Sequence, residues 1–260
     1  MAILFGTPNA RGLITTVHFQ MVVKTIDHMR RKRPNTPMVH KLASGTLMGF
    51  CRNALASQAL ADTAVSHLLL VDPDMAVSPE TVEQMITFDK PVVACPYPTR
   101  TFDRQAFLEA ARKVDDANMA EALAATYVGG DEDLVLAPGP NGPAPVMRGA
   151  FARVKTCGAG ILLIRRDALE RLAEKRPDIV IREKRSDYGK LGYDGDLIIE
   201  CFEHASIRRA DEVAEGAGFA RFWTEDCGGE IWTNVEAMVT RFSEHRFIGH
   251  FASKLKLGFL

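Results

Sequence analysis

A short apolar run that ends in two carboxylates constrains the fold of this chain more than any other feature. Residues 67–71 read His-Leu-Leu-Leu-Val, and Asp72, Pro73 and Asp74 follow directly. A continuous apolar run of this length, ended by turn residues, predicts a strand that is buried on both faces. Ser78 and Pro79 then form a helix start signal, a capping side chain followed by proline. Strand, turn and helix in this order predict an α/β fold.

The flanking segments alternate in the same way. We predict strands at 2–5, 38–41, 91–95 and 161–164. We predict helices from Thr15 or Thr16 to the basic residues 30–33, at about 49–62, and from a cap near Asp167. Cations suit the C-terminus of a helix, so the basic residues need no nucleic acid to explain them. The stretch 134–147 is rich in proline and glycine and predicts a loop or lid.

Composition excludes several classes of protein. The 260 residues are 47% hydrophobic and 25% charged, with a formal net charge of -1. This balance excludes a disordered or fibrous chain and gives no general attraction to nucleic acid. No apolar run is long enough for a transmembrane segment, and we find no signal peptide at the N-terminus. The five cysteines form no CxxC pair and predict free thiols in a reducing compartment. We therefore expect a soluble, cytoplasmic, single-domain protein.

Asp72 and Asp74 are the first candidates for chemistry. They follow a buried strand, and open α/β sheets bind ligands beyond the carboxyl ends of their strands. One intervening residue lets both carboxylates approach a divalent cation, Mn²⁺ or Mg²⁺, which prefers oxygen ligands. Such an ion would bind a diphosphate and neutralise the charge that develops as it leaves. The alternative is that the two aspartates only make turn and cap hydrogen bonds.

Several motifs then appear in an order that resembles a known family. Arg52-Asn53 lies on a predicted helix, the strand that ends in Asp72-Pro73-Asp74 follows, and residues 90–94 and Tyr97-Pro98 come next. This series resembles the opening half of GT-A glycosyltransferases, in particular family 2-type members from phages and bacteria. Residues 155–166 resemble the glycine-containing strand on the acceptor side of that family. The resemblance covers most of the chain apart from about 102–153.

The resemblance implies a fold and a division of the chain. We expect an α/β fold with a GT-A type, Rossmann-like mixed sheet that is flanked by helices, in a single domain over residues 1–260. Residues 1–100 would form the half that binds the nucleotide sugar. Residues 101–154 would be a variable insert or loop, and residues 155–260 the half on the acceptor side.

The resemblance also implies roles for individual residues at the donor site. Asp74 would bind the metal directly, and Asp72 would face the ribose or a metal-bound water. Arg52 would lie near the diphosphate or stabilise the turn that carries the aspartates, the alternative being an arginine on a helix surface. The nucleobase and ribose would lie near the first loop, which comprises Thr7, Pro8 and Asn9.

The C-terminal third departs from the family pattern at two positions. Gly216 stands where the family usually has its base, while Glu215 beside it is kept. We therefore predict Glu215 as the catalytic base, ahead of the other carboxylates of this region, which are Asp211, Glu212, Glu225 and Asp226. Arg241 stands near the position of the family's metal-binding histidine.

Two replacements for the missing histidine remain open. His245 or His250 could bind the ion in its place, and we predict His250. Alternatively, Arg241 could supply a fixed positive charge against the diphosphate. We favour a retained metal, because Asp72 and Asp74 together would otherwise repel a diphosphate.

The function we predict is a hexosyltransferase-like, metal-assisted transfer of a sugar from a nucleoside diphosphate to an unknown acceptor. One alternative is a catalytically impaired relative that binds nucleotide or sugar, or that serves in an assembly. A nucleotidyltransferase ranks lower, because the early segment 6–12 carries only Arg11 as a basic residue. A dinucleotide-dependent oxidoreductase is disfavoured, because no GxGxxG follows the first strand.

Overall fold

A computed structural model describes residues 1–10, 12–140, 142–202, 217–242 and 246–258. Over these ranges the chain has a mixed α/β fold, with a large sheet of parallel and antiparallel strands that is flanked by helices. The predicted α/β class with a Rossmann-like mixed sheet is confirmed. The division of the chain at residues 100 and 154 stays a prediction.

The strands are numbered along the chain. They are β1 (Ala2–Asn9), β2 (Met38–Ser44), β3 (Val65–Val71), β4 (Met75–Ala76), β5 (Val92–Ala94), β6 (Tyr97–Pro98), β7 (Tyr127–Val128), β8 (Leu136–Gly139), β9 (Gly142–Pro145), β10 (Met147–Arg148), β11 (Phe151–Val154), β12 (Ile161–Arg165), β13 (Val180–Ile181), β14 (Ile198–Ile199), β15 (Ile231–Asn234), β16 (Met238–Phe242) and β17 (Arg246–His250).

The helices are numbered in the same way. They are α1 (Thr16–Lys32), α2 (Met48–Ala61), α3 (Pro79–Thr87), α4 (Arg104–Ala111), α5 (Ala117–Ala124), α6 (Arg166–Lys175), α7 (Ser186–Gly189), α8 (Ala217–Arg221) and α9 (Phe251–Lys256). Short 3-10 turns occur at Asp131–Asp133 and Pro177–Ile179, and a π turn at Phe222–Asp226 follows α8 directly.

The large sheet has the strand order β10-β11-β15-β5-β12-β3-β1-β2. Strand β1 pairs in parallel with both β2 and β3, while β12 runs antiparallel between β3 and β5. A second, three-stranded sheet has the order β17-β16-β4. Strand β4 begins just beyond the end of β3, after Asp72-Pro73-Asp74, which we call the aspartate triplet. The small sheet therefore meets the large one at this triplet.

Alternate residues of β3 contribute to two hydrophobic cores, one on each face of the sheet. Leu68 and Leu70 pack with side chains of α2 and α6, whereas Leu69 and Val71 pack with side chains of α1 and α3. Because both faces are covered, the strand is apolar at successive positions instead of every second one. The prediction of a strand buried on both faces is confirmed.

Two predicted helix starts are confirmed by their caps. Thr15 precedes α1, and its side chain accepts a hydrogen bond from the His18 N–H. Ser78 precedes α3, and its side chain accepts from the Thr81 N–H. At α6 the prediction is only partly right: the helix begins at Arg166, and Asp167 lies in the first turn, where it pairs with Arg165.

The prediction of a loop at 134–147 is wrong in its local structure. Strands β8 and β9 form an antiparallel hairpin in this stretch, with Leu136 opposite Pro145 and Gly139 opposite Gly142. This pair is a separate two-stranded sheet, so its strands have open edges. Proline is tolerated in edge strands, where its missing N–H removes no ladder bond. Whether the hairpin closes over a ligand stays a prediction.

All five cysteines are buried free thiols, as predicted. Among the residues that the structure describes, no helix combines the length and the hydrophobicity needed to cross a membrane.

Candidate functional site

The aspartate triplet lies at the carboxyl end of β3, between β1 and β12 in the large sheet. The Asp72 N–H donates to the carbonyl of Gly160 over 2.8 Å, and the Met75 N–H donates back to the Asp72 carbonyl over 3.0 Å. The second bond closes a tight turn that leads from the large sheet into β4. The carboxyl ends of parallel strands are where open α/β sheets bind their ligands.

Asp72 faces inward and pairs with Arg52 of α2. The Arg52 Nη2 lies 2.8 Å from one carboxylate oxygen of Asp72 and 3.0 Å from the other. The two side chains are only 3% and 6% exposed, so Arg52 is not an arginine on a helix surface. Burial raises the pKa of the Asp72 carboxyl, and the guanidinium of Arg52 opposes that shift. Arg52 thus occupies the place from which it can stabilise the turn, one of its two predicted roles.

Asp74 is less deeply buried than Asp72, with 13% of its side chain exposed, and contacts two further arginines. Its Oδ2 accepts from Arg100 Nη2 over 2.6 Å, from Arg100 Nε over 3.2 Å and from Arg241 Nε over 3.2 Å. We call Asp74, Arg100 and Arg241 the outer cluster. Its members come from three segments that are distant in sequence: the turn after β3, the segment after β6, and β16.

Strand pairing brings Arg241 to the triplet. In the small sheet Arg241 lies opposite Met75, and the Phe242 N–H donates to the Asp74 carbonyl over 2.7 Å. Arg241 Nη1 donates to the carbonyl of Pro98 over 3.3 Å, and its guanidinium lies 5.4 Å from the centre of the Tyr97 ring. With 13% of its side chain exposed, Arg241 is held in one orientation by these contacts.

The predicted first loop belongs to β1, which continues to Asn9 instead of ending at Phe5. Thr7, Pro8 and Asn9 are buried strand residues, so the prediction of a loop here is wrong in local structure. The Thr7 hydroxyl lies 2.9 Å from Nε2 of His18 and 2.9 Å from Nε2 of His40. We call these three residues, together with Arg52 and Asp72, the inner network.

The hydrogen-bond directions in this part of the inner network follow from one carbonyl. His18 Nδ1 lies 3.0 Å from the carbonyl of Met75, which can only accept, so this nitrogen carries the proton. In neutral His18, Nε2 is then the acceptor, the Thr7 hydroxyl donates to it, and His40 Nε2 donates to Thr7. Burial lowers the pKa of both His18 and His40, which favours these neutral forms.

The structure does not bring His250 to the aspartates. His250 lies opposite Met238 in the small sheet, three residues along β16 from Arg241, which is about 10 Å at the usual rise of a strand. Its Nδ1 is 2.6 Å from the Ser253 hydroxyl. Glu215, the predicted base, and His245, the other candidate ligand, lie outside the described residues.

The described side chains do not fit a divalent cation at the triplet. Over these residues no group of three or more His, Cys, Asp and Glu side chains is arranged to hold a metal ion. The Asp72 carboxylate is bound by Arg52, and the Asp74 carboxylate by Arg100 and Arg241. Guanidinium groups carry positive charge and have no lone pair for a metal. This donor set suits an anion better than a cation.

Sequence reasoning missed three residues of this site. Arg100 follows the Tyr97-Pro98 segment by two residues, and that proximity was the one signal that could have identified it. His18 and His40 stand 22 residues apart and belong to no motif. They meet at Thr7 because β2 pairs in parallel with β1 and because α1 crosses the same end of the sheet.

Comparisons with known proteins give distant likenesses in structure. No family model and no curated protein sequence matches it. Among solved structures it is similar to A197 from STIV, with 13% identity and a TM-score of 0.47, over 96% of this chain and 94% of that one. It is also similar to apo mouse xyloside xylosyltransferase 1, with 7% identity and a TM-score of 0.27, over 76% of this chain and 78% of that one. Likenesses this weak carry no functional argument.

Proposed function

We propose that this chain is a glycosyltransferase that moves a sugar, of the hexose class, from a nucleoside diphosphate to an acceptor hydroxyl. The observation that carries the proposal is the convergence of Arg52, Arg100 and Arg241 on the two aspartates beyond the end of β3. Arg52 and Asp72 neutralise each other, whereas Arg100 and Arg241 share one carboxylate, so a positive charge is left at the ligand-binding edge of the sheet for a substrate that carries a diphosphate.

The chemistry of the transfer explains why such a site is useful. The bond between the anomeric carbon of the sugar and the diphosphate oxygen breaks, and the acceptor oxygen forms the new bond to that carbon. Negative charge accumulates on the departing nucleoside diphosphate. Fixed positive groups that already point towards this charge lower the barrier, because they need no reorganisation during the reaction. Arg241, held by Asp74, Pro98 and Tyr97, is such a group.

The acceptor hydroxyl must lose its proton as it attacks, and a carboxylate within hydrogen-bond reach can act as the base. Glu215 keeps the predicted role of this base in the proposal. The buried pair of Arg52 and Asp72 has a different role: it holds the turn in a single geometry and so fixes the position from which Asp74 and the outer arginines act.

The test is release of nucleoside diphosphate from a panel of UDP- and GDP-sugars, measured with Mn²⁺ and with EDTA. We expect release from at least one donor, and a loss of at least about tenfold in kcat/KM for Arg241→Ala. Arg31→Ala is the matched control, because Arg31 is also paired with an aspartate, Asp27, but lies at the far end of α1.

The N-cap residue of α1 contacts the triplet, since Thr15 Oγ1 donates to the Pro73 carbonyl. The 17 residues of α1 span about 25 Å, so Arg31 is remote from the site. If every donor binds but none is turned over, the catalytically impaired relative is the correct description. If no donor binds in either condition, the proposed function is wrong.

A further inference from the structure

We propose that the outer cluster binds the diphosphate directly, and that arginine charge takes the place of the divalent cation in this protein. The inference rests on the proposed function for the identity of the ligand. It goes beyond that function because it specifies what holds the ligand and predicts binding without metal.

The charge balance of the site is the first argument. Arg52 and Asp72 form a buried pair that is neutral as a unit. The outer cluster contains two guanidinium groups and one carboxylate, which leaves one net positive charge. A divalent cation would enter a region that is already positive, whereas a diphosphate would meet charge of the opposite sign.

The contacts of Asp74 are the second argument. Three guanidinium N–H groups approach its Oδ2 within 3.2 Å. A metal ion bound at the same carboxylate would have to displace these donors or lie beside two fixed cations. A phosphate group needs no such displacement, because a guanidinium presents five N–H donors in a planar fork and binds phosphate oxygens in pairs. Asp74 is then a counter-charge that positions both arginines.

The two arginines differ in mobility, and the difference suits a binding site. Arg241 is 13% exposed and is fixed by the Pro98 carbonyl and the Tyr97 ring as well as by Asp74. Arg100 is 52% exposed and lies at the rim. Arg241 therefore offers a preorganised charge, and the exposed ion pair between Arg100 and Asp74 costs little to exchange for a contact between Arg100 and an incoming anion.

The sequence-based preference for a retained metal depended on repulsion between two aspartates and a diphosphate. The structure removes that reason, since each carboxylate is neutralised by at least one arginine. The histidine that was expected to complete the metal site, His250, lies about 10 Å away along the small sheet.

The experiment measures binding of inorganic pyrophosphate to the full chain by titration calorimetry, in EDTA and in Mn²⁺. We expect binding in EDTA with an affinity within about twofold of that in Mn²⁺, and a weakening of at least about tenfold in Arg241→Ala. Arg31→Ala should leave the affinity unchanged. Binding that requires Mn²⁺, or that survives in Arg241→Ala, would overturn the inference.

The variant Asp74→Asn distinguishes a counter-charge from a metal ligand, because the two roles predict opposite changes in pyrophosphate affinity. If Asp74 is a counter-charge, its neutralisation leaves pyrophosphate binding in EDTA equal or severalfold tighter, because one competing anion is removed while the amide oxygen of asparagine still accepts hydrogen bonds from the arginines. If Asp74 is a metal ligand, the same change abolishes the Mn²⁺-dependent binding. Loss of all pyrophosphate binding in Asp74→Asn contradicts the inference.

Folding and function are separated by two further controls. Should Arg241→Ala unfold, Arg100→Ala decides, since its exposed side chain can be removed without opening the core. It must weaken pyrophosphate binding in EDTA if the inference is right.

Pyrophosphate carries neither sugar nor nucleoside, so metal-free binding through Arg241 without turnover of any nucleotide sugar would refute the proposed function alone. Turnover that depends on Mn²⁺ would refute this inference alone.

Discussion

The inner network and the outer cluster each contain one aspartate of the same short motif, Asp72 and Asp74, which lie two residues apart in sequence and have different surroundings. In the inner network Arg52 and Asp72 are buried, and the carboxylate is matched by one guanidinium. In the outer cluster one carboxylate faces two guanidinium groups, and one of these, on Arg100, is half exposed. The comparison teaches that two aspartates in a short motif can have separate roles, because Asp72 contributes to the fold whereas Asp74 belongs to a surface suited to binding.

The difference in burial explains why we expect different effects from substitutions around Asp72 and around Asp74. Removing one partner of a buried ion pair leaves an uncompensated charge in a medium of low dielectric constant, which is costly. The ion pair of Arg100 contributes little, because its side chain is 52% exposed and water and salt screen it. Substitution of Arg52 should therefore change stability, and substitution of Arg100 should change binding.

The largest effect is expected for Arg52→Ala. It leaves the Asp72 carboxylate buried without its guanidinium, and we expect the free energy of unfolding to fall by about 3–5 kcal/mol. Urea denaturation monitored by circular dichroism measures this loss. The double variant Arg52→Met with Asp72→Asn should recover a large part of it, since no charge is then left unmatched. A loss below about 1 kcal/mol in the single variant would show that water reaches Asp72 and that the pair is not structural.

A smaller loss is expected for Thr7→Val. The change keeps the shape of the side chain but removes the hydroxyl that donates to His18 and accepts from His40. Leaving buried polar atoms without partners costs about 1–3 kcal/mol, and urea denaturation at pH 8 measures it. Thr7→Ser is the matched control, because it retains the hydroxyl. If Thr7→Ser is destabilised as much as Thr7→Val, lost packing and not the hydrogen bonds is responsible.

The same histidines give the inner network a pH dependence. Burial lowers the pKa of His18 and His40 below the ordinary value of 6.5, so the unfolded chain binds more protons than the folded one just below that pH. Their contribution to stability is therefore complete above about pH 6.5 and is lost as the pH falls from there through the folded pKa values. Unfolding titrations from pH 8 to pH 5 should show a decline below 6.5 that is shallower in His18→Gln.

His67 lies near the start of β3, remote from the triplet, and burial lowers its pKa as well. His67→Gln therefore also reduces the decline below pH 6.5, but it should leave stability at pH 8 close to that of the wild type. His18→Gln should lower stability at pH 8, because it breaks the bonds to Thr7 and Met75. If the two variants are equally stable at pH 8, the hydrogen bonds of His18 to Thr7 and Met75 contribute nothing to stability.

Much of the fold could be predicted because its signals are local. The run 67–71 and the capping side chains Thr15 and Ser78 act within a few residues of themselves, and all three predictions are confirmed. The hairpin of β8 and β9 was missed because its prolines hide the strand pattern, although proline at an open edge removes no ladder bond.

The site was less predictable because its contacts are long-range. The sequence predicted Asp72 and Asp74 as candidate site residues. Their contact partners depend on strand pairing and packing between distant segments, which no local pattern shows. Arg241 reaches Asp74 only because β16 pairs with β4, a separation of 167 residues. Arg52 pairs with Asp72 in the interior instead of lying on a helix surface, and this burial is seen only in the structure.

The smallest change in stability is expected for Arg100→Ala, which isolates binding from folding. The Arg100 side chain is 52% exposed, so its ion pair with Asp74 is worth at most about 1 kcal/mol, and unfolding in urea should change by less than that. Pyrophosphate affinity in EDTA should nevertheless fall severalfold, because the outer cluster loses its net positive charge when one of its two guanidinium groups is removed.

Raising the ionic strength should weaken wild-type binding more steeply than Arg100→Ala binding, since the variant has less charge to be screened. A variant that unfolds like the wild type and binds pyrophosphate equally well at every salt concentration would show that Arg100 only neutralises Asp74. The outer cluster would then differ from the inner network in exposure but not in its role.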